Sequence, residues 1–113
     1  MIGPKVAKPT PAESRVAYER AKERSFGLCE ICGEAEAVET HHRLHRSHGG
    51  LDVAENLLRV CGWGNHTGCH GKAHSDSDRY SNGWAVRSGD NPSTRPVLYR
   101  GQLQMLTADG GLA

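Results

Sequence analysis

Cysteine and histidine are the residues of this sequence best suited to chemistry, and they are concentrated. All seven histidines fall between His41 and His74, and the four cysteines stand at 29, 32, 61 and 69. Cys29-Glu30-Ile31-Cys32-Gly33 has the spacing that curls a backbone until both sulfurs face one point, with Gly33 tolerating the turn. A thiol redox pair has similar spacing. The second pair, Cys61 and Cys69, favours metal, because four thiolates complete a tetrahedral zinc site. The glycine-rich spacer 62–68 is longer than the roughly two residues usual between zinc ligands. Loop-closure entropy grows slowly enough with length for it to close back. The expectation is a structural Zn2+ held by Cys29, Cys32, Cys61 and Cys69, with His66 an ordinary loop residue.

The histidines point to a second centre. His70 and His74 are four apart on a predicted helix, so both project from one face and suit one ion. His41 and His42 lie on a predicted strand that packs against that helix. Strand side chains alternate, so one of the pair faces the ion and the other faces elsewhere. A cation beside a neutral imidazole is a hydrolytic arrangement for a phosphodiester. The cation polarises the phosphoryl oxygen, and an imidazole of pKa roughly 6.5 takes a proton from water. His74 either ligates the ion or contacts a phosphate. His45 and His48, in a basic loop before Gly49-Gly50, are expected to take no direct part.

Elements that can position these groups are legible. Thr10-Pro11-Ala12-Glu13 is a capping box with proline at the first helical position, so a helix runs from there to about Ser25. Its apolar stripe is Ala12, Val16, Ala17 and Ala21, with Arg15, Glu19, Arg20, Lys22, Glu23 and Arg24 outward. Residues 37–42 and 57–60 read as two paired strands. A helix should run from Thr67 or Gly68 to about Ser77. Residues 84–87 and 96–100 read as a β-hairpin or a pair of short strands around the turn-rich 88–92, and 103–106 as a further short strand. Residues 1–9 read as a flexible basic arm, 10–106 as one domain, and 107–113 as a frayed tail.

Composition sets the outer bounds. The chain has 113 residues, 36% hydrophobic and 5% aromatic, with 14 glycines. So sparse an apolar content needs a staple such as a metal. Four cysteines would also make two disulfides in a secreted domain. No basic start followed by an apolar run marks a signal peptide, and no run approaches the roughly 20 apolar residues of a membrane helix. The expectation is a soluble, cytoplasmic protein with reduced thiols and no membrane partner. Net charge is +1, but residues 41–74 carry four Lys/Arg against two acids before any cation is counted. That balance suits a phosphate ligand.

Taken together, Cys29-x-x-Cys32-Gly33, His41-His42-Arg43, Gly49-Gly50, Asn56-Leu57, Cys61, Cys69-His70 and His74 resemble an HNH endonuclease. The resemblance spans about residues 26–78, with the ββα-metal core at about 37–78. The hairpin beyond is similar to that of small HNH proteins of phages and their bacterial hosts. The resemblance implies an α+β chain with a ββα-metal (His-Me finger) fold, an N-terminal helix, a four-cysteine zinc site and a C-terminal β-hairpin. It implies a DNA nuclease that uses one catalytic divalent cation (Mg2+, Mn2+, Ni2+ or Zn2+). His42 stands where the family has its general base. His41, His70 and His74 stand where it binds the ion, and Asn56 where it holds the loop between the strands. Arg43, Arg46 and Lys72 are the expected phosphate contacts. Family members nick DNA, serve homing or restriction systems, or work beside phage terminase subunits. The seven-residue spacer between the last two cysteines departs from the family pattern. The contrasting expectation is a zinc-stabilised nucleic-acid-binding module that does not cleave.

Overall fold

The computed structural model describes residues 8–113, so the expected basic arm lies, except for Lys8 and Pro9, outside the described residues. The first helix, α1 (Pro11–Ser25), begins as its sequence dictates. Thr10 accepts from the Glu13 amide, and the Glu13 carboxylate accepts from the Thr10 amide. Its buried face is narrower than the expected stripe. Ala17, Ala21 and Ser25 are buried, whereas Ala12 is exposed and Val16 is 48% exposed. The helix therefore docks largely through polar groups. Arg24, expected to face outward, has its side chain covered and forms a two-pronged bond to Glu30 at 2.6 and 3.0 Å. It also donates to the carbonyls of Ala54 and Leu57.

Strands β1 (Glu39–His42) and β2 (Leu57–Val60) pair antiparallel, with Glu39 opposite Val60 and His42 opposite Leu57. The second helix, α2 (Gly68–Ser75), follows from the N-cap Thr67 and ends about two residues before the expected boundary. A second two-stranded sheet joins β3 (Val97–Tyr99) to β4 (Gln102–Gln104). The chain is thus a small α+β fold of two helices and two antiparallel sheets among the described residues. No helix among them is long and apolar enough to cross a membrane.

The C-terminal hairpin uses different strands from those expected. Residues 84–87 do not pair as a strand. Trp84, Ala85 and Val86 are buried, and Trp84 joins the core between Leu58 and Val60 of one sheet and Val97 and Tyr99 of the other. The Trp84 indole donates to the Leu98 carbonyl, and the Val86 amide donates to the Arg43 carbonyl. Residues 107–113 are not a frayed end either. Leu106 bridges to Leu112, Met105 and Ala113 exchange backbone bonds, and Arg20 of α1 donates to the Ala108 carbonyl. Such a turn is stabilised by long-range contacts that a glycine-rich composition does not reveal.

The main core gathers Cys29, Ile31, Leu58, Val60, Cys69, Ala73, Trp84, Val97, Tyr99 and Leu106. Two of the four cysteines are therefore part of the apolar interior, so whatever the thiols hold is continuous with the core.

Candidate metal centres and the histidine site

The four cysteines converge. Their sulfurs all lie within 4.8 Å of one another, and none forms a disulfide. A tetrahedral ion at about 2.3 Å from each sulfur would hold them about 3.8 Å apart, and Cys32 and Cys61 are 4.0 Å apart. The first pair is carried by a tight turn and the second by the closed spacer. In each, a backbone amide points at a sulfur: Glu34 at Cys32, 3.5 Å, and Cys69 at Cys61, 3.4 Å. Gly33, at φ 68°, makes the first turn possible. In the spacer, Gly62 sits at φ 97°, and a Cβ there would lie 2.1 Å from the Thr67 carbonyl oxygen. This close approach is how the seven-residue spacer closes. The Thr67 hydroxyl then clamps Trp63, accepting from its amide at 2.7 Å and donating to its carbonyl at 2.8 Å. Burial, then the charge of the adjacent Cys29, pushes Cys69 up, and burial pushes Cys61 up. Cys32 moves against its burial, drawn down to about 7 by the amides of Glu34 and Ala35. Crowded sulfurs of this kind suit a cation, which favours the thiolate at every position. The four-cysteine cluster fits a structural metal such as zinc.

Strand alternation builds the second cluster. Glu39 and His41 share one side of β1, and His42 takes the other. On the first side, His41, His70 and His74 each bring a ring nitrogen within 4.8 Å of the others. His41 is buried, and its Nε2 lies 2.7 Å from the Trp84 carbonyl. A carbonyl only accepts, so that nitrogen carries the proton and Nδ1 is left to bind. His70 Nδ1 lies 2.8 Å from the Glu39 carboxylate, which fixes its proton there and leaves Nε2 to bind. His70 Nε2 and His74 Nε2 are 3.3 Å apart. An N–H···N hydrogen bond has this length. So do two nitrogens about 2.0–2.1 Å from one tetrahedral ion, at about 3.3–3.4 Å. Burial, chiefly, drives His41 down to about 3, with His74, His70 and His45 adding to it and the Trp84 bond opposing. Burial and then His70 lower His74. Neutral imidazole is the form that binds metal. Three converging ring nitrogens, two of them on histidines whose other nitrogen is fixed from behind, are a set of donors that can hold a divalent cation.

His42 is not part of that cluster. It faces Tyr18 of α1, with ring centres 6.2 Å apart, and its Nε2 lies 2.8 Å from Asp52. Arg46, exposed, bonds Asp52 at 3.2 Å and the Tyr18 hydroxyl at 2.8 Å, and its Nε–H points at His42 Nε2 from 3.3 Å, sharing that nitrogen with Asp52. Asn56 is fully buried across the loop between β1 and β2. Its oxygen accepts from the Leu44 amide at 2.7 Å, and its nitrogen donates to the Leu44 and Leu51 carbonyls. That loop carries Asp52 and follows directly on His42.

Two of the expected phosphate contacts stand elsewhere. Arg43 is fully buried, and all five of its N–H groups are spent on carbonyls. They reach Gly83, Glu55, Pro92, Arg95 and Pro96, at 2.7 to 3.5 Å. Burial pushes it down to about 10, still cationic at neutral pH. It is a cross-link between β1 and residues 83–96, out of reach of any substrate. Lys72 is exposed, but it is two residues from both His70 and His74 on α2, a spacing that points it off their face.

The structure also adds residues. Glu39 and Asp52 hold His70 and His42, yet each was one acid among several in the sequence. His45 was expected to take no part, but its ring centre lies 5.0 Å from that of His74 and 6.3 Å from that of His41. Its four-residue offset from His41 carried no signal without the path of the loop.

Compared with protein-family models, with curated proteins and with solved structures, the chain matches none of them.

Proposed function

We propose that this protein is a metal-dependent endonuclease of the HNH type, with a ββα-metal core formed by β1, β2 and α2, acting on DNA phosphodiesters. One observation carries the proposal. Three histidine nitrogens converge, two of them with their protons held away by Trp84 and Glu39, and the next residue of β1, His42, is paired to a carboxylate on the other side of the strand. A divalent cation bound by His41, His70 and His74 would supply charge stabilisation for the phosphoryl and leaving oxygens. His42 is the general base. Asp52, at 2.8 Å, is closer to Nε2 than the Arg46 Nε at 3.3 Å; with Nε2–H given to Asp52, Nδ1 is left to take the proton of the attacking water. Asp52 holds that tautomer and favours the imidazolium that results, in the manner of a carboxylate behind a catalytic histidine. Asn56 positions both by closing the loop between the strands. Arg46 stands beside this pair and would meet a substrate phosphate. Work beside phage terminase subunits in genome packaging belongs to this proposal through the sequence resemblance alone. A zinc-stabilised binding module would need only the cysteines. It leaves the Trp84–His41 and Glu39–His70 bonds without a purpose.

A plasmid-nicking screen with Mg2+, Mn2+, Ni2+ and Zn2+ tests the proposal. Cleavage is expected with at least one ion, and loss of cleavage in His42→Ala with the structural zinc retained. No cleavage with any ion, or undiminished cleavage by His42→Ala, overturns it.

A further inference from the structure

Beyond α2 the chain doubles back along the histidine site. Arg79 donates to the Asp76 carbonyl at the end of that helix, 3.0 Å, and the Ala85 amide donates to the Arg79 carbonyl, also 3.0 Å. The neighbouring Trp84 is the residue whose carbonyl accepts from His41. Val86 is tied in turn to the Arg43 carbonyl at 2.8 Å. Residues 79–87 are therefore stapled beside both β1 and α2, on fixed backbone.

The surface of this segment is cationic. The Arg79 guanidinium carbon lies 4.5 Å from the centre of the Tyr80 ring, and that of Arg87 lies 4.0 Å from it. A ring face attracts cations, and here it fixes two of them at one place. Arg24, Arg46 and Arg95 have carboxylate partners in Glu30, Asp52 and Asp90. Among the described residues, neither Arg79 nor Arg87 has a carboxylate oxygen within 4.0 Å. A cleft of about 360 Å³ opens beside Arg87, lined also by Tyr80, Ala85 and Val86, with the Asp90–Arg95 pair in its wall. Two like charges held on one ring, unneutralised and next to a cleft, are stabilised by an anion. The planar guanidinium fork fits the oxygens of a phosphodiester. An acidic protein surface is the competing partner, but the segment is tied to β1 and α2, the elements that carry the proposed hydrolytic centre, where a nucleic-acid strand must pass.

We infer that Arg79 and Arg87, set on Tyr80, bind the phosphodiester backbone of duplex DNA next to the histidine centre. This rests on the nuclease proposal and adds a contact outside the residues that carry the HNH resemblance. Contacts of this type position DNA and carry no sequence preference.

The test is fluorescence anisotropy of labelled duplexes of unrelated sequence, across a salt series and without added divalent cation. Each lost phosphate contact makes the slope of log affinity against log salt shallower by about 0.9. Arg79→Gln with Arg87→Gln is expected to flatten it by about 1.8 and to weaken binding alike for every duplex. Arg87→Gln alone, at an exposed position, is expected to flatten it by about 0.9. It carries the test if the double variant loses its fold, as judged by circular dichroism and zinc content. A folded variant with the wild-type slope and affinity overturns the site. If the wild type still nicks plasmid in that case, the nuclease proposal stands and the arginine site alone falls. If the wild type neither binds nor cuts duplex DNA, both fall. Weakening for one duplex only would mean base readout, and would also overturn it.

Discussion

Single side chains in this protein are committed by where their hydrogen bonds go. Arg43 shows it most fully, with five donors on five carbonyls from four separate stretches of chain. A lysine there has three donors and cannot match them. Arg43→Lys should lower stability by roughly 2–4 kcal/mol, through buried carbonyls left unpaired. Urea unfolding would measure it, and an unchanged midpoint would contradict the cross-link role. Glu39 is the second case. It holds His70 Nδ1 at 2.8 Å and also accepts from the Gly64 amide at 2.6 Å, linking the spacer loop to the histidine site. The bond from His70 is the chief reason its carboxyl lies below the usual range. Removing such a partner behind a metal-binding histidine typically weakens the metal about 10- to 100-fold. Glu39→Ala is expected to do so in titration calorimetry with Mn2+ or Ni2+, with the cysteine-bound zinc unaffected. Wild-type affinity in the variant would show that His70 is not oriented this way.

At the scale of elements, the feature to explain is how α1 stays on the sheet with so small an apolar face. Ala17, Ala21 and Leu57 form the packed cluster between them, joined by Tyr18. The Arg24–Glu30 pair does the rest. Both side chains are almost fully buried, and Glu30 also accepts from the Arg59 amide of β2 at 2.8 Å. Glu30 sits between Cys29 and Cys32, so the same residue links helix, strand and first cysteine turn. Breaking a buried pair from one side leaves an unpaired charge and costs about 3–5 kcal/mol. Glu30→Ala should destabilise by that amount in thermal or urea unfolding. Arg24→Leu with Glu30→Leu should recover part of the loss and leave the Arg59 amide unpaired. A Glu30→Ala variant as stable as the wild type would mean that α1 is held by packing alone.

For the whole molecule, the cysteines are the keystone. Cys29 and Cys69 belong to the main core, and Arg100, after β3, wraps back to the carbonyls of Ser25, Leu28 and Cys29. Zinc in a four-thiolate site contributes about 10–16 kcal/mol at neutral pH, as much as a small domain's entire stability of about 5–15 kcal/mol. Chelation should therefore unfold the protein at room temperature and expose four titratable thiols. Circular dichroism and thiol titration would follow it. His41→Ala with His70→Ala should keep one zinc per chain and the fold. Loss of all zinc from that variant would merge the two centres into one.

Local chemistry is what the sequence determined by itself. The capping box, the cysteine turns, the two short strands and the i, i+4 histidines are all written in neighbouring residues. Each sets its own backbone through caps, φ angles or periodicity. What each side chain meets was decided by tertiary structure, because it depends on register and on segments far along the chain. Glu39 reaches His70 only because β1 alternation and α2 packing put them face to face. Asp52 reaches His42 only because Asn56 closes the loop. Arg43 follows directly on the histidine pair and reads as a phosphate contact, yet residues 83–96 enclose it. His45 was set aside with the loop histidines, yet the loop returns it to His74. The expected hairpin moved for the same reason: 84–87 is apolar enough for a strand, but its backbone is taken by Arg79, Arg43 and His41 instead of a partner strand.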